Sequence, residues 1–290
     1  MKVTPILISL LSLQPLMAGA DSQWFESNTP LTQAHQYLLE DDLSDMFNSM
    51  VEVWQSNDDG SLNHHLNQLL NQSLVEDCGK SLMNGAMPEW LDAVTIQRET
   101  VQYPGNDSHR LLIDVLSHQK VNSIRFEKWV NTQISTDGTL FTLDDDEENE
   151  QHVQQRYTLS NKLAPGLYRL TISADDQPEW SSWVILSDQE PTHYVRWSSN
   201  DTWQVEKKTL TNRYCPLPLL KVTVSDYVDD DYQQVWSKTY DAQYPTKLEA
   251  TKLPNDRYVL FVSMSNRRWQ GDILLQTSQT ISRTLDVSND

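Results

Sequence analysis

"LAPGLYRLTI" at residues 163–172 returns in altered form as "KLPNDRYVLFV" at 252–262. Tyr168 maps onto Tyr258, Leu170 onto Leu260 and Ile172 onto Val262, each at an offset of 90. Both copies alternate apolar and polar side chains, the period of a half-buried strand. Downstream, Trp180 meets Trp269 at an offset of 89, and Val184 and Leu186 meet Ile273 and Leu275. Upstream the offset is 107, pairing Trp129 with Trp236, and Ile113 and Val115 with Leu220 and Val222. The pattern predicts two related β-units in tandem, the first carrying 17 more residues between Trp129 and Tyr168.

Further strands are predicted in "RLLIDVL" (110–116), "SIRFEKWV" (123–130) and "SWVIL" (182–186), separated by turn residues. Units of this length with six or seven short strands suit immunoglobulin- or fibronectin-like antiparallel sandwiches. Within "GLYRLTI", Tyr168, Leu170 and Ile172 share one face, so Arg169 points to the other. The odd spacing of Trp180 and Trp183 puts them on opposite faces. With Trp180 in the core, Trp183 points outward and stacks on Arg169 if the two strands are neighbours. Arg169 and Trp183 are therefore one candidate partner surface.

Before Pro88 the rhythm is helical. Leu31, Ala34, Leu38 and Leu39 form one stripe behind Thr29-Pro30, a cap followed by proline at the first helical position. A second helix carries Leu43, Met46, Phe47, Met50, Val53 and Trp54. A third runs from Ser61 through Leu62, Leu66, Leu69, Leu70 and Leu74 to Cys78-Gly79. The first two resemble the start of a tetratricopeptide hairpin, although no period follows and three-helix packing also accounts for them.

The chain opens with Lys2, a short apolar run over Ile6–Leu13 and Ala18-Gly19-Ala20, the pattern of a secretory signal peptide cleaved after Ala20. No later apolar run is long enough to cross a bilayer, so the chain is expected to be exported and not membrane-inserted. Without Lys2, 21 basic residues face 41 acidic ones, a net charge of −20. Such a charge repels phosphate backbones, so nucleic acid is not a partner. Ten Trp and eleven Tyr supply the large apolar faces that a disordered chain lacks. The two cysteines, Cys78 and Cys215, are an even count in an exported chain and predict a disulfide.

Chemistry is scarce. The seven histidines show no zinc-binding spacing, neither cysteine lies in a thioredoxin-type pair, and eight glycines build no phosphate loop. The acidic run Asp144–Glu150 falls in the insertion and reads as a solvated loop. As a calcium loop it lacks Gly at position 6, where Asn149 stands, and Glu at position 12, where Gln155 stands. No catalytic residue, metal ligand or cofactor site is assigned, and the protein is expected not to be an enzyme. Trp197, Trp203, Trp236 and Trp269 are either core residues or a sugar-stacking face. "SNRRW" (265–269) makes Arg267, Arg268 and Trp269 a clustered basic spot on a very acidic chain, a second candidate partner surface.

"WFESNTPLTQAHQYLL" (24–39), "VEDCGKSL" (75–82), "GLYRLTI", "WSSWVIL", "YCPLPLLKV" (214–222) and "RRWQGDILL" (267–275) occur in this order behind the signal peptide. In this the chain resembles, over essentially its whole length, an uncharacterised family of periplasmic proteins from marine gammaproteobacteria, known as a domain of unknown function. The resemblance implies association with a two-component system that responds to cell-wall stress, and it lends no catalytic residue. The expected architecture is α+β and multidomain: a signal peptide (1–20), a three-helix domain (21–88), and two tandem sandwiches (89–190, with the acidic insertion, and 191–290). The expected role is a non-enzymatic periplasmic protein contacting another envelope protein, with a wall- or glycan-binding module using exposed Trp as the alternative.

Overall fold

The computed structural model describes residues 28–57, 59–103, 105–130, 132–134, 138–143, 151–187, 190–228, 231–249 and 253–287. The signal peptide with its cleavage point after Ala20, and the acidic run 144–150, lie outside the described residues. Three helices come first, α1 (Pro30–Leu39), α2 (Leu43–Ser56) and α3 (Asn63–Asp77). The strands follow as β1 (Leu91–Tyr103), β2 (Asn106–Ser117), β3 (Val121–Lys128), β4 (Thr132–Gln133), β5 (Gly138–Leu143), β6 (Gln151–Leu159) and β7 (Gly166–Ala174). After them come β8 (Trp180–Leu186), β9 (His193–Trp197), β10 (Trp203–Lys207), β11 (Leu219–Val228), β12 (Asp231–Tyr240), β13 (Asp256–Gln270) and β14 (Ile273–Val287).

The helix ends follow from local chemistry. Thr29 and Thr32 cap α1 reciprocally, with Pro30 just inside it. The Asp42 side chain accepts from the Asp45 N–H to open α2. Cys78 closes α3 in the left-handed conformation at φ 62°, and Gly79 continues at φ 88°. The helices do not enclose a core of their own. Met46, Phe47, Met50, Leu66, Leu69 and Leu70 pack together with Leu167 of β7 and Ile185 of β8. Burying that apolar face against a sheet, rather than helix propensity, is what holds such short helices.

The strands form a four-stranded sheet, β4-β3-β7-β8, an eight-stranded sheet, β12-β11-β13-β14-β1-β2-β6-β5, and the hairpin β9-β10. Alternation divides β7 and β8 between two cores. Tyr168, Leu170, Ile172 and Val184 face Val94, Ile96, Leu111, Ile113 and Val115 of the large sheet, while Leu167 and Ile185 face the helices. The order of layers is thus helices, small sheet, large sheet. The class is α+β with the helices at the N-terminus. The two β-units, expected in tandem, are joined edge to edge by parallel pairing of β1 with β14, from Val94 opposite Ile273 to Gln102 opposite Ile281. One sheet therefore crosses the expected 190/191 boundary. A third core lies under the β9-β10 hairpin, where Val195 and Trp203 cover Leu220, Val222 and Val224.

The internal repeat is real but partly in a different register. The order β4-β3-β7-β8 recurs as β12-β11-β13-β14. Tyr168 and Tyr258 are equivalent, and each donates its hydroxyl to the carbonyl four residues back, Ala164 at 2.7 Å and Pro254 at 3.1 Å. That bond ties the strand to the corner before it. The flanking equivalences differ from those read in the sequence. Phe126 stands opposite Leu170 as Val224 stands opposite Leu260, so the counterpart of β11 is β3 and not β2. Trp180 stands opposite Ile172 as Ile281 stands opposite Val262, so Trp180 matches Ile281 and not Trp269. The cause is length: β13 has 15 residues against nine in β7, and Trp269 lies in the added end.

Candidate functional site

A cavity of about 380 Å³ opens where the end of α3, the β8-β9 connection, the segment 209–218 and strands β1, β13 and β14 meet. The segment 209–218 links β10 to β11 and passes over the cavity as a strap. Three sets of bonds hold it there. Cys215 is disulfide-bonded to Cys78 with their Cα atoms 5.0 Å apart. Asn212 Nδ2 donates to the terminal carbonyls of α3, Leu74 at 2.7 Å and Val75 at 3.1 Å. Arg267 Nη2 donates to the Leu217 carbonyl at 3.0 Å. The α3 end is held in turn by β13 and the following turn, because Trp269 N–H donates to Cys78 O and Gly271 N–H to Gly79 O.

The wall combines cations with apolar surface. Arg98, Arg267 and Arg268 line it together with Leu74, Leu210 and Pro216. Glu190 is the one carboxylate among the described lining residues, and it pairs with Lys208 at 3.5 Å. Burial first, and then the positive charge of Arg98, push the Arg268 guanidinium down to about 9. Burial also lowers Arg267. Arg98 donates to Ser187 O at 3.3 Å and to Thr277 Oγ1 at 3.0 Å. Among the described residues the buried Nε of Arg267 has no acceptor and the buried Oδ1 of Asn71 no donor. Desolvated guanidiniums beside one another are a site in which an anion is stabilised.

The residues singled out in the sequence are distributed unevenly around this cavity. Cys78, Cys215, Arg267 and Arg268 line it. Trp269 contributes its backbone to the α3 clamp. Arg169 and Trp183 stand opposite each other on β7 and β8, with the guanidinium 5.6 Å from the indole centre, as the alternation predicts. Arg169 is exposed and Trp183 is half-buried. Trp183 packs edge-on against Trp129 at 5.3 Å and joins the helical core, and Trp129 Nε1 donates to Gln55 O in α2. Of the four tryptophans considered as a sugar face, Trp203 is 0 % exposed, Trp197 lies edge-on against it under Arg283, and Trp236 packs on the third core. None of the nine described tryptophans is exposed.

Other groupings escape the sequence altogether. Arg98 and Asn71 give no local signal, and the strap carries only two prolines and an aperiodic pattern. His35 on α1 and His65 on α3 meet with their Nε2 atoms 2.7 Å apart, although 30 residues separate them. Burial and then the charge of His65 lower the His35 pKa. Among the described residues no three metal-ligating side chains converge.

The family model "Protein of unknown function (DUF2861)" matches residues 24–286. The chain belongs to this family. No curated protein matches it. The disulfide fits an oxidising, exported setting. No helix among the described residues is long and apolar enough to cross a membrane.

Proposed function

We propose that the protein is a non-enzymatic periplasmic binding protein that contacts another envelope protein and so adjusts envelope-stress signalling. The observation that carries this reading is the cavity under the disulfide-held strap. It joins three guanidiniums to an apolar wall on a chain of net charge −19, a combination suited to recognition. Its parts come from α3, from both β-units and from the strap, so its shape depends on the whole chain. The arrangement offers arginines held by backbone carbonyls, Arg267 by Leu217 O and Arg268 by Ile185 O, rather than a nucleophile beside a base, which favours binding over turnover.

A glycan-binding role is the second reading. Its support is an open cleft of about 570 Å³ lined by Trp90, Trp180, His118, Glu89 and Glu179. In-cell crosslinking with mass spectrometry, run beside sedimentation with purified cell wall, separates the two. The first reading expects one envelope protein enriched over a control and no co-sedimentation. Wall fragments as the sole product would overturn it.

A further inference from the structure

His35 on α1 and His65 on α3 meet base to base. The other bonded histidines among the described residues meet oxygen: His109 and His193 a threonine hydroxyl, His118 and His152 the carboxylates of Asp92 and Asp114. The Nε2 atoms of His35 and His65 instead lie 2.7 Å apart, with ring centroids at 4.9 Å and planes tilted by 46°, so the rings stand end to end rather than stacked. Two neutral imidazoles share one N–H in this way, one Nε2 donating and the other accepting. Neither Nδ1 bonds to a described residue, so the donor ring can carry its proton there and free its Nε2 lone pair. Burial and then the charge of His65 hold His35 below its usual pKa, which keeps its lone pair available at neutral pH.

The surroundings set the sign of what the pair takes. Residues 28–79 contain nine Asp and Glu and no Lys or Arg, so the field over the three helices attracts cations. A second proton would set two positive charges side by side, whereas one divalent ion is held by both rings at once. Imidazole nitrogen suits zinc and copper, while calcium and magnesium take oxygen. At a metal–nitrogen distance of ~2.0–2.1 Å and a tetrahedral angle the two nitrogens lie roughly 3.3 Å apart, so the pair opens by about 0.6 Å, within the freedom of two partly exposed rings. We propose that His35 and His65 form a two-histidine site for a divalent transition-metal ion, Zn²⁺ or Cu²⁺, bound through both Nε2 atoms with water in its remaining positions. The ion ties the first helix to the third, and its open positions make it exchangeable, unlike the ion of a closed four-ligand structural site. Neither histidine lines the cavity, so the site stands independently of the binding role above.

The test is calorimetric titration of zinc chloride into the exported chain at neutral pH, produced without a histidine tag, purified without reductant and stripped with a chelator. Wild type is expected to take up one equivalent and to melt at a higher temperature with zinc than without. His35→Gln and His65→Gln should each weaken uptake at least about tenfold and abolish the rise in melting temperature. His64→Gln, which changes the exposed ring next to His65, should leave both as in wild type. Electron paramagnetic resonance of the wild-type chain loaded with one equivalent of Cu²⁺ should show coupling to two imidazole nitrogens, a reading that stands even where a variant misfolds. No zinc uptake up to about 1 mM, uptake that survives both substitutions, equal loss in His64→Gln, or a copper spectrum with fewer than two coupled nitrogens would each overturn the proposal.

Discussion

Arg268 on β13 donates through Nη2 to the carbonyl of Ile185 on β8 at 2.8 Å. Its neighbour Gln270 does the same work from the other side, accepting from Ile185 N–H at 2.9 Å and donating to Trp183 O at 2.8 Å. β8 ends its sheet, so two side chains stand in for the missing ladder partner and cover the edge. Gln270→Ala removes both bonds; the buried Ile185 N–H is left unpaired, and Trp183 O keeps only Ser182 Oγ at 3.4 Å. A loss of about 1–3 kcal/mol is expected, the cost of one buried group left unsatisfied. Urea unfolding of the variant beside wild type measures it; an unchanged midpoint contradicts the edge-covering role.

The Cys78–Cys215 bond closes a loop of 137 residues. Loop entropy sets an upper figure of about 4–5 kcal/mol for its contribution. Cys78→Ser is expected to lower stability by up to that amount and to free the strap. Limited proteolysis should then cut first between residues 209 and 218, where wild type resists. Equal cleavage of the two proteins at the strap would show that Asn212 and Arg267 hold it without the disulfide.

Gly79 is required by two facts at once. Its φ is +88°, and a Cβ there would stand 2.3 Å from the Trp269 carbonyl oxygen. Backbone, not a movable side chain, is the obstacle, so Gly79→Ala should cost more than the ~1 kcal/mol of conformational strain alone. Thermal unfolding checks this, and a melting temperature within error of wild type is the contrary result.

The His35–His65 pair gives stability a pH dependence of definite sign. The His35 pKa is lower in the folded chain than in the unfolded one, so the unfolded chain takes up the proton first as pH falls. Stability is therefore full above about pH 6.5 and declines as pH drops through the folded value. His193, lowered mainly by burial, acts in the same direction. His35→Gln should flatten the decline in urea midpoint between about pH 7 and pH 5 and leave the share due to His193. A wild-type midpoint that stays level over that range contradicts the account.

The readable parts of the sequence were those with local causes. Period-two alternation places Tyr168, Leu170 and Ile172 on one face and predicts the Arg169–Trp183 stack, because side-chain direction in a strand depends only on parity. Thr29-Pro30 and Cys78-Gly79 mark real helix ends, because caps are read from adjacent residues. The spacing matches Trp180 to Trp269, whereas the added length of β13 shifts the register; an offset between two repeats does not reveal a longer strand. The parallel junction of β1 with β14 was hidden for another reason: a pairing across about 180 residues is settled by tertiary packing and leaves no local pattern. The same holds for the site. Arg98 and Arg268 are 170 positions apart and become neighbours only once that junction forms.

The most direct test of the cavity as the recognition site is photo-crosslinking in living cells, with a photoreactive residue at Leu210 on its rim. The same residue at Leu39, which is 75 % exposed and outside the cavity wall, serves as the control. The account predicts one discrete protein adduct from position 210, none of that size from position 39, and loss of the adduct on adding Arg267→Gln. An adduct formed equally from both positions, or one from 210 that survives Arg267→Gln undiminished, would contradict it.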